Sequence, residues 1–114
     1  MRKNIFIISI LVIISSSLMI ACERQPSRYD SLAKCLTADN VTMYGTTWCS
    51  HCQNQKALFG SSFDYINFVD CDRHKEECIN AGVEGYPTWN INGTNYPGEL
   101  TFYNISQLSG CQIG

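Results

Sequence analysis

Hydrophobic and polar positions divide the chain into three regimes. Residues 5–20 are almost wholly apolar, interrupted by Ser9 and by Ser15, Ser16 and Ser17. Residues 23–30 are polar with one proline. Beyond them, short apolar runs alternate with stretches of helical spacing. Residues 30–39 read as a helix with Leu32, Ala33 and Leu36 at its apolar positions, and 41–44 as a buried strand. Residues 49–59, rich in Gln, Lys, Ala and Leu, read as a second helix that Gly60 ends. A strand over 65–69 runs into Asp70-Cys71-Asp72, and a short helix over 73–81 stops at Gly82. Strands over 88–91 and 94–96 flank Asn92-Gly93, the strongest short hairpin signal. A terminal helix covers 104–108. The predicted order is helix, strand, helix, strand, helix, strand, strand, helix, with no internal repeat.

The first regime is an address. Met1-Arg2-Lys3-Asn4 ahead of the apolar run gives the basic and hydrophobic regions of a secretory signal. The run is marginal for crossing a bilayer, which takes ~20 apolar residues. It closes in Leu18-Met19-Ile20-Ala21-Cys22, which resembles a bacterial lipobox, with Met19 where leucine is commoner. The small residue before the cysteine suits the signal peptidase, and the cysteine sulfur receives diacylglycerol. The expectation is a signal peptide over 1–21, a lipidated tether over 22–29 beginning at Cys22, and a folded domain over 30–114. Several acyl chains on one residue hold a protein stably at a membrane. The protein is then anchored in a bacterial cell envelope, facing the periplasm or extracytoplasmic side. An ordinary signal peptide and an uncleaved anchor are the competing readings.

Export changes how the cysteines read. Seven cysteines in 114 residues fit an oxidising compartment. Without Cys22 six remain, and six thiols allow 15 pairings. Cys49-Ser50-His51-Cys52 puts two of them in a Cys-x-x-Cys spacing where a strand, a turn and a helix follow one another. Cys71 and Cys78 are close in sequence and flank a polar stretch, so they pair. Cys35 and Cys111 are then left, one near each end of the domain, and a bond between them closes a long loop. Two such bonds compensate for a core that a domain this small cannot make large. The net charge is −2, about −4 once Arg2 and Lys3 are lost with the signal. No basic patch or aromatic-basic stripe suggests nucleic acid.

The order of elements, with a Cys-x-x-Cys opening the second helix and Gly85-Tyr86-Pro87-Thr88-Trp89 ahead of the hairpin, resembles the thioredoxin superfamily. More narrowly, several stretches are similar to the thioredoxin-like domain fused to bacterial homologues of vitamin K epoxide reductase. They are Lys34-Cys35-Leu36-Thr37, Met43-Tyr44-Gly45, Trp48-Cys49-Ser50-His51-Cys52-Gln53, Val69-Asp70-Cys71, Gly85-Tyr86-Pro87-Thr88-Trp89, Ile91-Asn92-Gly93 and Leu108-Ser109-Gly110. The resemblance implies an α/β thioredoxin-like fold, a small mixed central sheet flanked by helices. It implies a cis proline at Pro87 facing the dithiol, with Trp48 and Tyr86 as an apolar rim for an extended client. It also implies reoxidation by a membrane quinone-linked partner. The multi-helix membrane enzyme of those homologues is absent from this sequence, which reads as a stand-alone lipoprotein.

The chemistry follows from the two sulfurs. The thiolate is the attacking species. A helix N-terminus favours an anion, and a protonated His51 adds a nearby positive charge. Cys49 is therefore the expected nucleophile, Cys52 the shielded resolving thiol and His51 the tuning residue. The expected function is thiol–disulfide exchange with protein clients, as an oxidase or as a dedicated reductant, with no cofactor and no metal. Many thioredoxin relatives carry a buried carboxylate six residues before the first cysteine; Met43 stands there instead. The competing class is a Cys/His metal-binding lipoprotein using Cys49, His51 and Cys52. It lacks the second Cys-x-x-Cys or His pair of most structural zinc sites. His74 reads as part of a solvated helix face, Trp89 as packing, and a permanent Cys49–Cys52 staple is disfavoured.

Overall fold

A computed structural model describes residues 2–4 and 22–114. The signal-peptide reading therefore falls largely outside the described residues. Helices α1 (Asp30–Ala38), α2 (Ser50–Phe59), α3 (Lys75–Asn80) and α4 (Phe102–Ser109) flank four strands, β1 (Thr42–Gly45), β2 (Asn67–Asp70), β3 (Thr88–Ile91) and β4 (Thr94–Pro97). A 3-10 helix, Gly60–Tyr65, follows α2 directly. The strands form one mixed sheet in the order β2-β1-β3-β4. β1 runs parallel to β2 and antiparallel to β3, with Met43 opposite Phe68 on one side and Trp89 on the other. β3 and β4 are antiparallel. The α/β class and the small mixed sheet with flanking helices are as the sequence led us to expect.

The core forms where the apolar periodicities converge. Leu32, Ala33 and Leu36 turn one face of α1 onto Val41, Met43, Phe59, Trp89, Ile91 and Ile105, all fully or almost fully buried. Phe59 stands at its centre, 4.9 Å from the Phe102 ring and 5.9 Å from Trp89. Edge-to-face and tilted pairs of this kind add to the area they bury. A smaller cluster of Val69, Cys71 and Cys78, with Tyr44 and Val83 against it, lies apart from this core. The hairpin turn has φ of 52° at Asn92 and 80° at Gly93, the left-handed pair that a two-residue connection requires.

Three boundaries differ from the sequence expectation by more than one residue. β2 starts at Asn67 rather than 65, because the 3-10 segment docks on α1. The Ser62 hydroxyl donates to Asp30 at 2.8 Å, and Thr37 donates to the Tyr65 carbonyl. α3 begins at Lys75 rather than 73. Asp70 draws the chain into a turn first, its side chain accepting from Asp72 N–H at 3.0 Å and its carbonyl from His74 N–H at 2.9 Å. α4 is longer than 104–108 because the Thr101 hydroxyl caps it, accepting from Asn104 N–H at 3.1 Å.

The stretch ahead of α1 is not free of the domain. Arg24 lies 3.3 Å from Asp30 and 3.8 Å from Asp64, donates to the Ser61 carbonyl and stacks 4.6 Å over the Tyr65 ring. Cys22 is an exposed free thiol.

Candidate active site

β1 ends at Gly45 and a short turn delivers the chain to α2. Cys49 is the N-cap of that helix, with extended φ and ψ of −69° and 122°. Its sulfur takes the place of the usual cap oxygen, accepting the Cys52 N–H at 3.2 Å. The positive end of the α2 macrodipole lies at the same sulfur. On the other side, the Tyr86 carbonyl lies 3.6 Å from Cys49 Sγ. The Tyr86–Pro87 peptide is cis. Cys49 and Cys52 are free thiols, and Cys49 is 8% exposed while Cys52 is fully buried.

Burial sets the two sulfurs apart. The Cys52 thiol is pushed up to about 11, first by desolvation and then by its hydrogen bond with Cys49. The Thr46 backbone and Lys56, one turn further along α2, act in the opposite direction and lose. No carboxylate helps from β1, since the fully buried residue there is Met43. The Thr46 hydroxyl is buried and has no hydrogen-bond partner among the described residues. A protonated, shielded Cys52 beside a half-capped Cys49 is what sequential exchange at two sulfurs requires.

Gly45 makes room for this pair. A Cβ there would lie 2.7 Å from Cys52 Sγ and 3.3 Å from the Phe68 ring. Gly45→Ala should therefore displace Cys52 and cost about 1–3 kcal/mol of overpacking. Urea unfolding with Cys49 and Cys52 reduced measures that cost; an unchanged midpoint would show that the sulfur has space to yield.

The aromatic rim is held from an unexpected side. Trp48 is 66% exposed, yet its indole N–H donates to Asp72 at 2.7 Å. Its ring meets exposed Tyr86 edge-on at 6.3 Å. Asp72 follows Cys71, which is bonded to Cys78, so the small disulfide loop fixes the tryptophan. Cys35 is bonded to Cys111 across 76 residues. Trp89 lies wholly in the core and donates to Gln55 at 3.2 Å. His51 Nδ1 is 2.8 Å from Glu99, a partner that nothing in the spacing of the sequence indicates. Gln55 did leave a signal, as the one polar residue in the buried stripe Cys52, Gln55, Phe59 of α2.

The metal alternative finds no converging donors at this site. Among the described residues, the side chains close enough together to share an ion are Cys35, Asp39 and Cys111. Two of those three sulfur or oxygen donors are already bonded to each other. Cys49, Cys52 and His51 do not converge in that way.

No family model matches the chain. The thiol-disulfide oxidoreductase LTO1 of Arabidopsis thaliana is 37% identical over 92 residues, covering 73% of this chain and 24% of that protein. Protein disulfide isomerase-like 2-2 and 2-1 of Oryza sativa subsp. japonica are each 43% identical over 49 residues, 36% of this chain and 13% of theirs. The chain thus spans about a quarter or less of the curated relatives it matches. The mixed sheet with its flanking helices, built around a cysteine pair, is an α/β thioredoxin-like fold, and the relatives it is similar to bear the names thiol-disulfide oxidoreductase and protein disulfide isomerase-like.

Proposed function

We infer that this protein is an exported thiol–disulfide oxidoreductase that exchanges disulfides with protein clients through Cys49 and Cys52. The observation that carries the reading is the asymmetry of the two sulfurs: one caps α2 beside the Tyr86 carbonyl, and the other is fully buried. Cys49 is the nucleophile that forms the mixed disulfide. Cys52 resolves it. Trp48, Tyr86 and Pro87 form the edge along which an extended client segment lies, pairing with backbone as an added strand does.

Direction and setting complete the proposal. Stabilising the reduced form makes a disulfide a stronger oxidant. The cap on Cys49 and a histidine within the motif favour that form, so the protein acts as an oxidase. A quinone-linked membrane partner, implied by the vitamin K epoxide reductase resemblance, takes up the electrons. Cys22 carries the lipid that keeps the domain at the extracytoplasmic face of a bacterial membrane.

His51→Pro tests the tuning part of this reading. Proline is tolerated in a first helical turn, so the fold should survive. The couple should become more reducing by about 30 mV or more, a tenfold change in equilibrium constant. Equilibration with glutathione buffers reads this directly, and an unchanged potential removes His51 from the mechanism. Alkylation trapping in cells reads the direction: a mostly reduced pair would make the protein a reductant instead.

A further inference from the structure

Glu99 lies on the loop between β4 and α4, and its Oε2 is 2.8 Å from His51 Nδ1. An ionised carboxylate can only accept, so Nδ1 is the donor and Nε2 is the ring atom left for other groups. The loop is pinned on both sides of this contact. Gln55, four residues beyond His51 on α2, accepts Leu100 N–H at 2.7 Å and donates to Leu100 O at 3.0 Å. Gly98 N–H donates to the Pro87 carbonyl at 2.7 Å, tying the loop to the residue that follows Tyr86. The helix that carries His51 therefore holds the loop that carries Glu99. His51 is 68% and Glu99 38% exposed at the side chain, so both are open to solvent.

We propose that Glu99 is a positioning residue for disulfide exchange: it fixes the tautomer and direction of His51, so that Nε2 carries protons for thiols reacting at Cys49. The inference rests on the oxidoreductase reading above. In the oxidising direction a client thiol gives its proton to neutral Nε2. The client thiolate attacks Cys49 Sγ of the Cys49–Cys52 disulfide. That S–S bond breaks, a client–Cys49 bond forms, and Cys52 leaves with the electron pair and is protonated. A second client thiolate then attacks the client sulfur and releases Cys49 as thiolate. The client dithiol loses two electrons and the Cys49–Cys52 pair gains them. One proton ends on Cys52 and one passes through Nε2 to solvent.

The experiment compares the full-length protein with Glu99→Ala, His51→Ala and the double variant, using a reduced dithiol peptide as probe. Nitrogen-15 spectra of the neutral imidazole should show the Nδ1–H form in the wild type and the Nε2–H form in Glu99→Ala. The exchange rate of Glu99→Ala should fall about fivefold, a fraction of what a well-placed proton carrier supplies. In the His51→Ala background the same change should alter the rate less than about twofold. An unchanged ring spectrum, or an equal loss of rate in both backgrounds, overturns the proposal. If the wild type exchanges no disulfide, the oxidoreductase reading falls and takes this proposal with it. Normal wild-type exchange with an unaffected Glu99→Ala defeats the proposal alone.

Discussion

Presented with a client disulfide, the reverse of the proposed oxidation, Cys49→Ser should fail to react, while Cys52→Ser should complete the first step and stop there. The two outcomes differ because the two sulfurs differ. In the proposed exchange Cys49 is the sulfur a client meets, capped by the Cys52 N–H and flanked by the Tyr86 carbonyl. Without it no mixed disulfide forms, and the loss is complete rather than graded. Cys52 is fully buried and pushed up to about 11, so in that scheme it resolves the intermediate and does not start it. Replacing it leaves the Cys49–client bond with nothing nearby to break it. Non-reducing electrophoresis and mass spectrometry of Cys52→Ser should reveal adducts at Cys49 that reductant removes. The same pushed-up thiol predicts how the normal reaction responds to pH. Burial, the first cause of that rise, persists in the mixed disulfide, so the Cys52 thiolate fraction and with it the rate of resolution should climb as pH rises. Exchange by Cys49→Ser at the wild-type rate, or a Cys52→Ser protein free of adducts, would dismantle the assigned roles.

Loss of the Cys35–Cys111 bond should have the largest effect on stability. It spans 76 residues, and the chain-entropy relation gives about 4.5 kcal/mol for a loop of that length. The Cys71–Cys78 bond closes only 7 residues and gives about 2 kcal/mol on the same basis. A domain of this size has roughly 5–15 kcal/mol in total. Replacing both Cys35 and Cys111 with serine should lower the melting temperature by about 15–30 °C. The equivalent change at Cys71 and Cys78 should cost about half as much in stability, and should also loosen Trp48, because Asp72 leaves its place. Calorimetry on the two variants decides this. Equal shifts would show that native-state packing around the bonds, not loop length, sets their worth.

Much of the architecture could be read from residue patterns because those patterns are local. Leu32, Ala33 and Leu36 recur at helical spacing and meet the core together. Asn92-Gly93 has the one conformation a tight hairpin needs. Cys49 and Cys52 carry their geometry in their separation, since it places both sulfurs at one end of one helix. What stayed hidden depends on contacts between distant segments. The 3-10 turn after α2 exists because Ser62 and Thr37 bond across to it or from α1, 32 and 28 residues away from their partners. Asp72 and Glu99 reach the site from 24 and 48 residues away. Neither has any periodic or motif signature, because a lone surface carboxylate has no preferred spacing from its partner. Gln55, which our reading of the sequence passed over, does carry such a signature as a polar residue inside an apolar stripe.

The grip of Arg24 on Asp30, Asp64 and Tyr65 bears on how far the folded domain can roam. A slack leash from Cys22 to Asp30 would extend to about 28 Å. With Arg24 clamped, only two residues remain loose, a reach of about 7 Å. If Cys22 is acylated as proposed, the domain rides low over the headgroups, and its customers come to the bilayer surface to be served.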